Sequence, residues 1–113
     1  MLVGYQEVLD ALGDETRRRI FEQLRHGPVA VGEIARRLPV SRPAVSKHLR
    51  VLSGAGLVHY EPAGTRNLYQ VDERGLGEIR TWLDGFWDEA LTGFAQRVEQ
   101  DRRTRRSGRR RRQ

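Results

Sequence analysis

Apolar residues first recur at helical spacing. Val8, Leu9 and Leu12 sit three and four residues apart and predict an opening helix. Asp14 is a good N-cap for a second helix that carries Ile20, Phe21 and Leu24 on one face, and Gly27 and Pro28 end it. A short third helix is expected over 31–38, with Ile34, Ala35 and Leu38 turned inward and Pro39 and Val40 making a turn. Ser41 then caps a fourth helix that tolerates Pro43 in its first turn and runs to Gly54 or Ala55, where Gly56 suits a left-handed C-cap.

The period then changes. Residues 57–61 and 67–71 read as two short strands, joined by a hairpin turn at Ala63, Gly64 and Thr65. Asp72 can cap a last helix, on which Ile79, Trp82, Leu83, Phe86, Trp87, Ala90, Leu91, Phe94 and Val98 recur at steps of three and four. Beyond Asp101 no apolar residue remains, so 102–113 reads as a disordered arginine-rich tail following one folded domain over 1–101. The fold class is mainly α with a small β-hairpin.

Charge sharpens this picture once it is divided along the chain. The 113 residues carry a formal net charge of +6. Residues 34–60 hold five basic side chains and no acidic one, whereas 72–101 hold three basic against eight acidic. Eight arginines between Arg102 and Arg112 supply the remaining excess. The folded part is therefore slightly acidic, with one basic island in its middle. Cysteine is absent, which excludes disulfides, thiolate metal sites and thiol redox sensing. No stretch approaches the roughly 18 apolar residues of a membrane span, and the first residues lack a signal-peptide layout, so a cytoplasmic location is expected.

The basic island coincides with the fourth helix. Val45, Leu49 and Leu52 form one inward stripe, leaving Pro43, Lys47 and Arg50 on the opposite face with Ala44 and Ser46 beside it. Small residues permit close approach to a major groove, and Arg42, Lys47 and Arg50 can meet phosphates or guanine edges. A solvated amphipathic helix would show similar periodicity. The tight turn before this helix and the absence of carboxylates favour double-stranded DNA. Ser46 and His48 lie two apart on one helix and cannot face each other, no phosphate-binding glycine loop occurs, and an enzyme is not expected.

These residues resemble the ArsR-type winged helix-turn-helix regulators. The resemblance covers about residues 5–100 and is carried by Leu12-Gly-Asp-Glu-Thr-Arg-Arg-Arg-Ile20, Val40-Ser-Arg-Pro-Ala-Val-Ser-Lys-His-Leu-Arg-Val-Leu52 and Ala55-Gly-Leu-Val58. It implies a winged helix-turn-helix whose fourth helix reads the major groove through Ser41, Pro43, Ser46, Lys47 and His48, with Arg66 as the wing contact. For His48 a buried structural hydrogen bond is as open as a phosphate contact. Arg17, Arg18 and Arg19 read as a solvated or dipole-related cluster, with a contact to the DNA backbone as the alternative. The thiolate metal site of some relatives is missing, since Ala30, Val31 and Gly32 stand in its place. His26, His48 and His59 all precede the last helix, and Asp84 and Asp88 alone read as a solvated face, so the chain resembles the metal-independent branch with no cofactor.

The last helix spans about 27 residues, roughly 40 Å at 1.5 Å per residue, longer than a core of this size covers. Part of its stripe, Trp82, Phe86, Trp87, Leu91, Phe94 and Val98, is expected to pair with a second copy and place two reading helices on successive major grooves of a palindromic operator. Repression, rather than activation, is implied by the resemblance alone. Two other readings stay open: a winged-helix module that binds protein, and sequence-independent nucleic-acid binding through the arginine tail. No inducer is identifiable.

Overall fold

The computed structural model describes residues 4–111, with side-chain environments given through Arg106. In order, the elements are α1 (Tyr5–Leu12), α2 (Glu15–Glu22), β1 (Val29–Ala30), α3 (Val31–Arg37), α4 (Arg42–Gly54), β2 (Val58–Ala63), β3 (Arg66–Val71) and α5 (Glu73–Arg111). The chain divides into two units, Met1–Arg80 and Thr81–Gln113, which are described separately.

In the first unit the helix starts follow from local chemistry. Asp14 accepts the Arg17 backbone N–H at 2.8 Å, and that bond holds its carboxyl below the usual carboxylate range. Ser41 Oγ accepts from the Ala44 N–H at 3.3 Å, and Pro43 occupies the first turn, where its missing N–H costs nothing. Helix α4 ends as expected: Gly56 takes φ of 73°, and the Leu57 N–H donates to the Leu52 carbonyl at 3.0 Å. The second helix stops earlier than its apolar pattern suggests, at Glu22. A turn follows, and Gly27, at φ of 138°, redirects the chain into β1.

Arg17 and Arg18 do more than solvate a surface. The Arg17 Nε donates to the Ala11 carbonyl and Arg18 Nη1 to the Leu12 carbonyl, each at 2.7 Å. These carbonyls lie at the end of α1 and have no partner within the helix, so two side chains from the next helix close it off. Arg19 instead forms an exposed pair with Glu15 at 2.8 Å.

Val8, Ile20, Leu24, Ile34, Val45, Leu49, Leu52, Leu57 and Val58 are fully buried and form one core. Leu12, Phe21, Ala35 and Leu38 pack against it while partly exposed. Burying each Leu or Ile stabilises the fold by about 1.5–3 kcal/mol, so the stripe of α4 is firmly held and its opposite face is left outside.

The strands form an antiparallel sheet in the order β1-β3-β2. Pairing of β2 with β3 runs from Val58↔Val71 to Ala63↔Arg66, leaving only Gly64 and Thr65 to turn, with Gly64 at φ of 63°. The hairpin thus reaches two residues further than its apolar pattern indicates, because Pro62 and Ala63 continue the ladder. The register partners Tyr60 and Tyr69 place their rings 5.3 Å apart. A third strand, β1, pairs Val29 with Tyr69 and Ala30 with Leu68. Two residues are too few to show a period, so β1 has no signal in the sequence.

In the second unit, α5 exposes its aromatic stripe: Phe86 is 61% and Trp87 63% exposed, and Trp82 stacks on Phe86 with centroids 6.2 Å apart. The helix continues to Arg111, through most of the segment whose composition suggested disorder. Arginine is a good helix former, and Thr104 Oγ donates to the Gln100 carbonyl at 3.0 Å while Arg103 pairs with Glu99 at 3.8 Å. Arg112 lies outside the described residues.

Candidate nucleic-acid interface

Helix α3, the turn at Leu38–Ser41 and helix α4 set a pair of helices side by side, with the β2–β3 hairpin next to them. On α4 the expected residues separate into distinct environments. Lys47 and Pro43 are exposed on the outward face, and among the described residues the Lys47 ammonium has no hydrogen bond or ion pair. Arg50 is exposed and close enough to Tyr69 to favour its phenolate, against burial, which pushes that phenol up. His48 is half-buried and lies toward Asp14, the N-cap of α2. Ser41 is exposed, but its hydroxyl oxygen is occupied as a cap.

Arg42 and Ser46 border a groove of about 510 Å³ between α3, α4 and the hairpin, together with Arg36, Thr65, Arg66 and Tyr69. Arg42 turns aside from the outward face. Its guanidinium carbon lies 3.9 Å from where a Cβ on Gly32 would stand. The groove contains one carboxylate, Glu33, and Arg36 and Arg37 neutralise it at 2.7 and 3.5 Å. Arg36, Thr65 and Tyr69 were not singled out as site residues from the sequence, because Arg36 reaches the groove from α3 and Thr65 and Tyr69 reach it only through the hairpin.

A second feature lies at the root of the hairpin. Asp72 is buried and accepts from the Arg74 backbone N–H at 2.9 Å and from Arg74 Nη2 at 2.9 Å. The Arg74 hydrogen bonds hold its carboxyl down at about 2. His59 Nδ1 stands 3.4 Å from the same carboxylate, and its Nε2 lies 2.9 Å from Gln70 Nε2. If the Gln70 amide donates there, His59 carries its proton on Nδ1, facing Asp72. Asp72 serves as the helix cap read from the sequence, but the bidentate arginine and the histidine around it were missed. Gly75 was missed as well: its N–H donates to the Gly56 carbonyl, so the first turn of α5 lies against the end of α4.

Among the described residues no group of three or more His, Cys, Asp or Glu side chains is placed to hold a metal ion, and no helix is long and apolar enough to cross a membrane.

A short helix, a tight turn, a second helix with a cationic outward face free of carboxylates, and an adjoining two-stranded wing define a winged helix-turn-helix. Comparison with known proteins agrees. Residues 12–61 match the family model of a helix-turn-helix domain. The chain is 62% identical over 91 residues to the HTH-type transcriptional regulator Rv2034 of Mycobacterium tuberculosis, covering 80% of this chain and 85% of that protein. An ArsR-like transcriptional regulator from Rhodococcus superposes with a TM-score of 0.65 at 35% identity, over 81% of this chain and 90% of the other. The homodimeric winged helix-turn-helix DNA-binding domain of a possible ArsR-family regulator from Mycobacterium bovis superposes with a TM-score of 0.60 at 28% identity, over 76% and 80%. The chain belongs to the ArsR-type family of winged helix-turn-helix transcriptional regulators.

Proposed function

We propose that this protein is a sequence-specific regulator, a repressor, that binds a palindromic operator in double-stranded DNA as a homodimer. The observation that carries the reading is the outward face of α4, where Lys47 stands exposed and unpaired among the described residues on a helix without an acidic side chain. Such a face enters a major groove without electrostatic penalty and offers donors to guanine and phosphate. Pro43, Ser46 and Arg50 accompany Lys47. Ser41 and His48 support the helix, one as its cap and the other toward Asp14. Arg66 contacts the backbone from the wing.

The exposed apolar stripe of α5, with Trp82, Phe86, Trp87, Leu91, Phe94 and Val98, forms the dimer surface. The arginines beyond Asp101 add sequence-blind attraction to phosphates. Selection of bound sequences from a random duplex pool tests the reading. The expected product is a palindrome with half-sites about one helical turn apart. A pool that shows no enrichment overturns it.

A further inference from the structure

The groove between α3, α4 and the hairpin holds two guanidinium groups that nothing in the fold uses. Arg42 enters from the first turn of α4 and Arg66 from the first residue of β3, and among the described residues neither has an ion pair or hydrogen bond. Arg42 stands on a helix anchored by Val45, Leu49 and Leu52, and Arg66 is held in the β2–β3 ladder opposite Ala63, outside the two-residue turn. The groove's single carboxylate, Glu33, is already neutralised by Arg36 and Arg37. The remaining polar lining, Ser46, Thr65, Asn67 and the Tyr69 phenol, consists of neutral groups that can donate to an oxyanion.

Resting on the DNA-binding reading above, we propose that this groove is a seat for one backbone phosphate of the duplex, closed on by Arg42 from the reading helix and by Arg66 from the wing. The composition suits a phosphoryl oxyanion better than a base edge. A base is distinguished by a planar pattern of donors and acceptors, whereas cations from two separate elements with hydroxyl and amide groups between them surround a tetrahedral anion. Arg42 thereby leaves the set of base-reading residues on α4. Its contact is blind to sequence, and because helix and wing grip the same phosphate, it fixes how α4 enters the groove. Lys47 and Arg50 are left to discriminate.

The test uses the full chain, its preferred duplex and a random duplex, with folding of each variant checked by circular dichroism. Arg42→Gln and Arg66→Gln should each weaken binding to both duplexes by the same factor, about tenfold, and reduce the slope of log affinity against log salt by about 0.9. Replacing single phosphates with neutral methylphosphonates should reveal one position per half-site that costs the wild type about tenfold and costs the Arg42→Gln/Arg66→Gln double variant nothing.

A wild type that discriminates between duplexes while both variants keep its salt slope overturns the seat and leaves the regulator reading standing. A wild type with no preference overturns that reading instead. Loss confined to the preferred duplex would make Arg42 a base reader. Thermal stabilisation of DNA-free wild type by millimolar inorganic pyrophosphate, abolished in both variants, would reassign the seat to a free oxyanion.

Discussion

The Gly75 amide donates to the Gly56 carbonyl at 2.8 Å, and a Cβ added at Gly75 would lie 2.7 Å from that same oxygen. Both partners are backbone, so no side chain can swing away to make room. Gly77, two residues along the same helix, has nothing within 4 Å of its would-be Cβ.

Gly75→Ala is therefore expected to lower stability by about 1–3 kcal/mol through overpacking. Gly77→Ala should raise it by about 0.5–1 kcal/mol, the helical advantage of alanine over glycine. Urea unfolding of the two variants checks the contrast; equal effects would mean the close approach is not a constraint.

Asp72 gives the fold a defined response to acid. Its carboxyl titrates at about 2 in the folded chain against 3.8 ordinarily. Because the folded value is depressed, its contribution is complete above pH 4 and is lost as pH falls from there to about 2. With Arg74 largely exposed, solvent screening reduces that contribution to about 1 kcal/mol. Stability measured between pH 5 and 2 should fall less steeply in Asp72→Asn than in the wild type.

Self-association should depend on the distal stripe of α5. Phe94 is 58% exposed, and Leu91 is also exposed. Phe94→Glu or Leu91→Glu places a charge where a second copy would pack and should shift sedimentation toward monomer. A wild-type chain that sediments as a monomer at micromolar concentration contradicts the dimer.

Affinity and discrimination should separate along the chain. Lys47→Ala is expected to cost the preferred duplex about 1–3 kcal/mol more than random DNA. Ending the chain at Asp101 should weaken binding to every duplex and flatten the salt dependence while the preferred sequence stays the same. Anisotropy titrations at several salt concentrations read both. Truncation that erased the preference while Lys47→Ala kept it would reverse the assignment.

What could be read from the sequence was local. Asp14 and Ser41 cap helices through bonds to residues three further on, and Val45, Leu49 and Leu52 share a face by helical geometry alone. What escaped depends on distant partners. Arg17 and Arg18 looked solvated because their acceptors lie on the preceding helix. The place of Arg42 beside Gly32 escaped because Gly32 belongs to α3. Strand β1 exists only through its pairing with β3, and Gly75 carried no mark beyond being a glycine where a helix would prefer another residue.

The middle place of β3 in its sheet divides the wing mechanically. Leu68 and Tyr69 are flanked by strands on both sides, whereas from Asn67 outward only β2 supports the ladder. The hairpin is thus a cantilever in its pairing: its clamped end lies at Leu68 and Tyr69, and its outer pairs, Asn67 with Pro62 and Arg66 with Ala63, are carried by a single neighbouring strand. A substitution at the root is therefore felt by two ladders, and one near the tip by a single ladder.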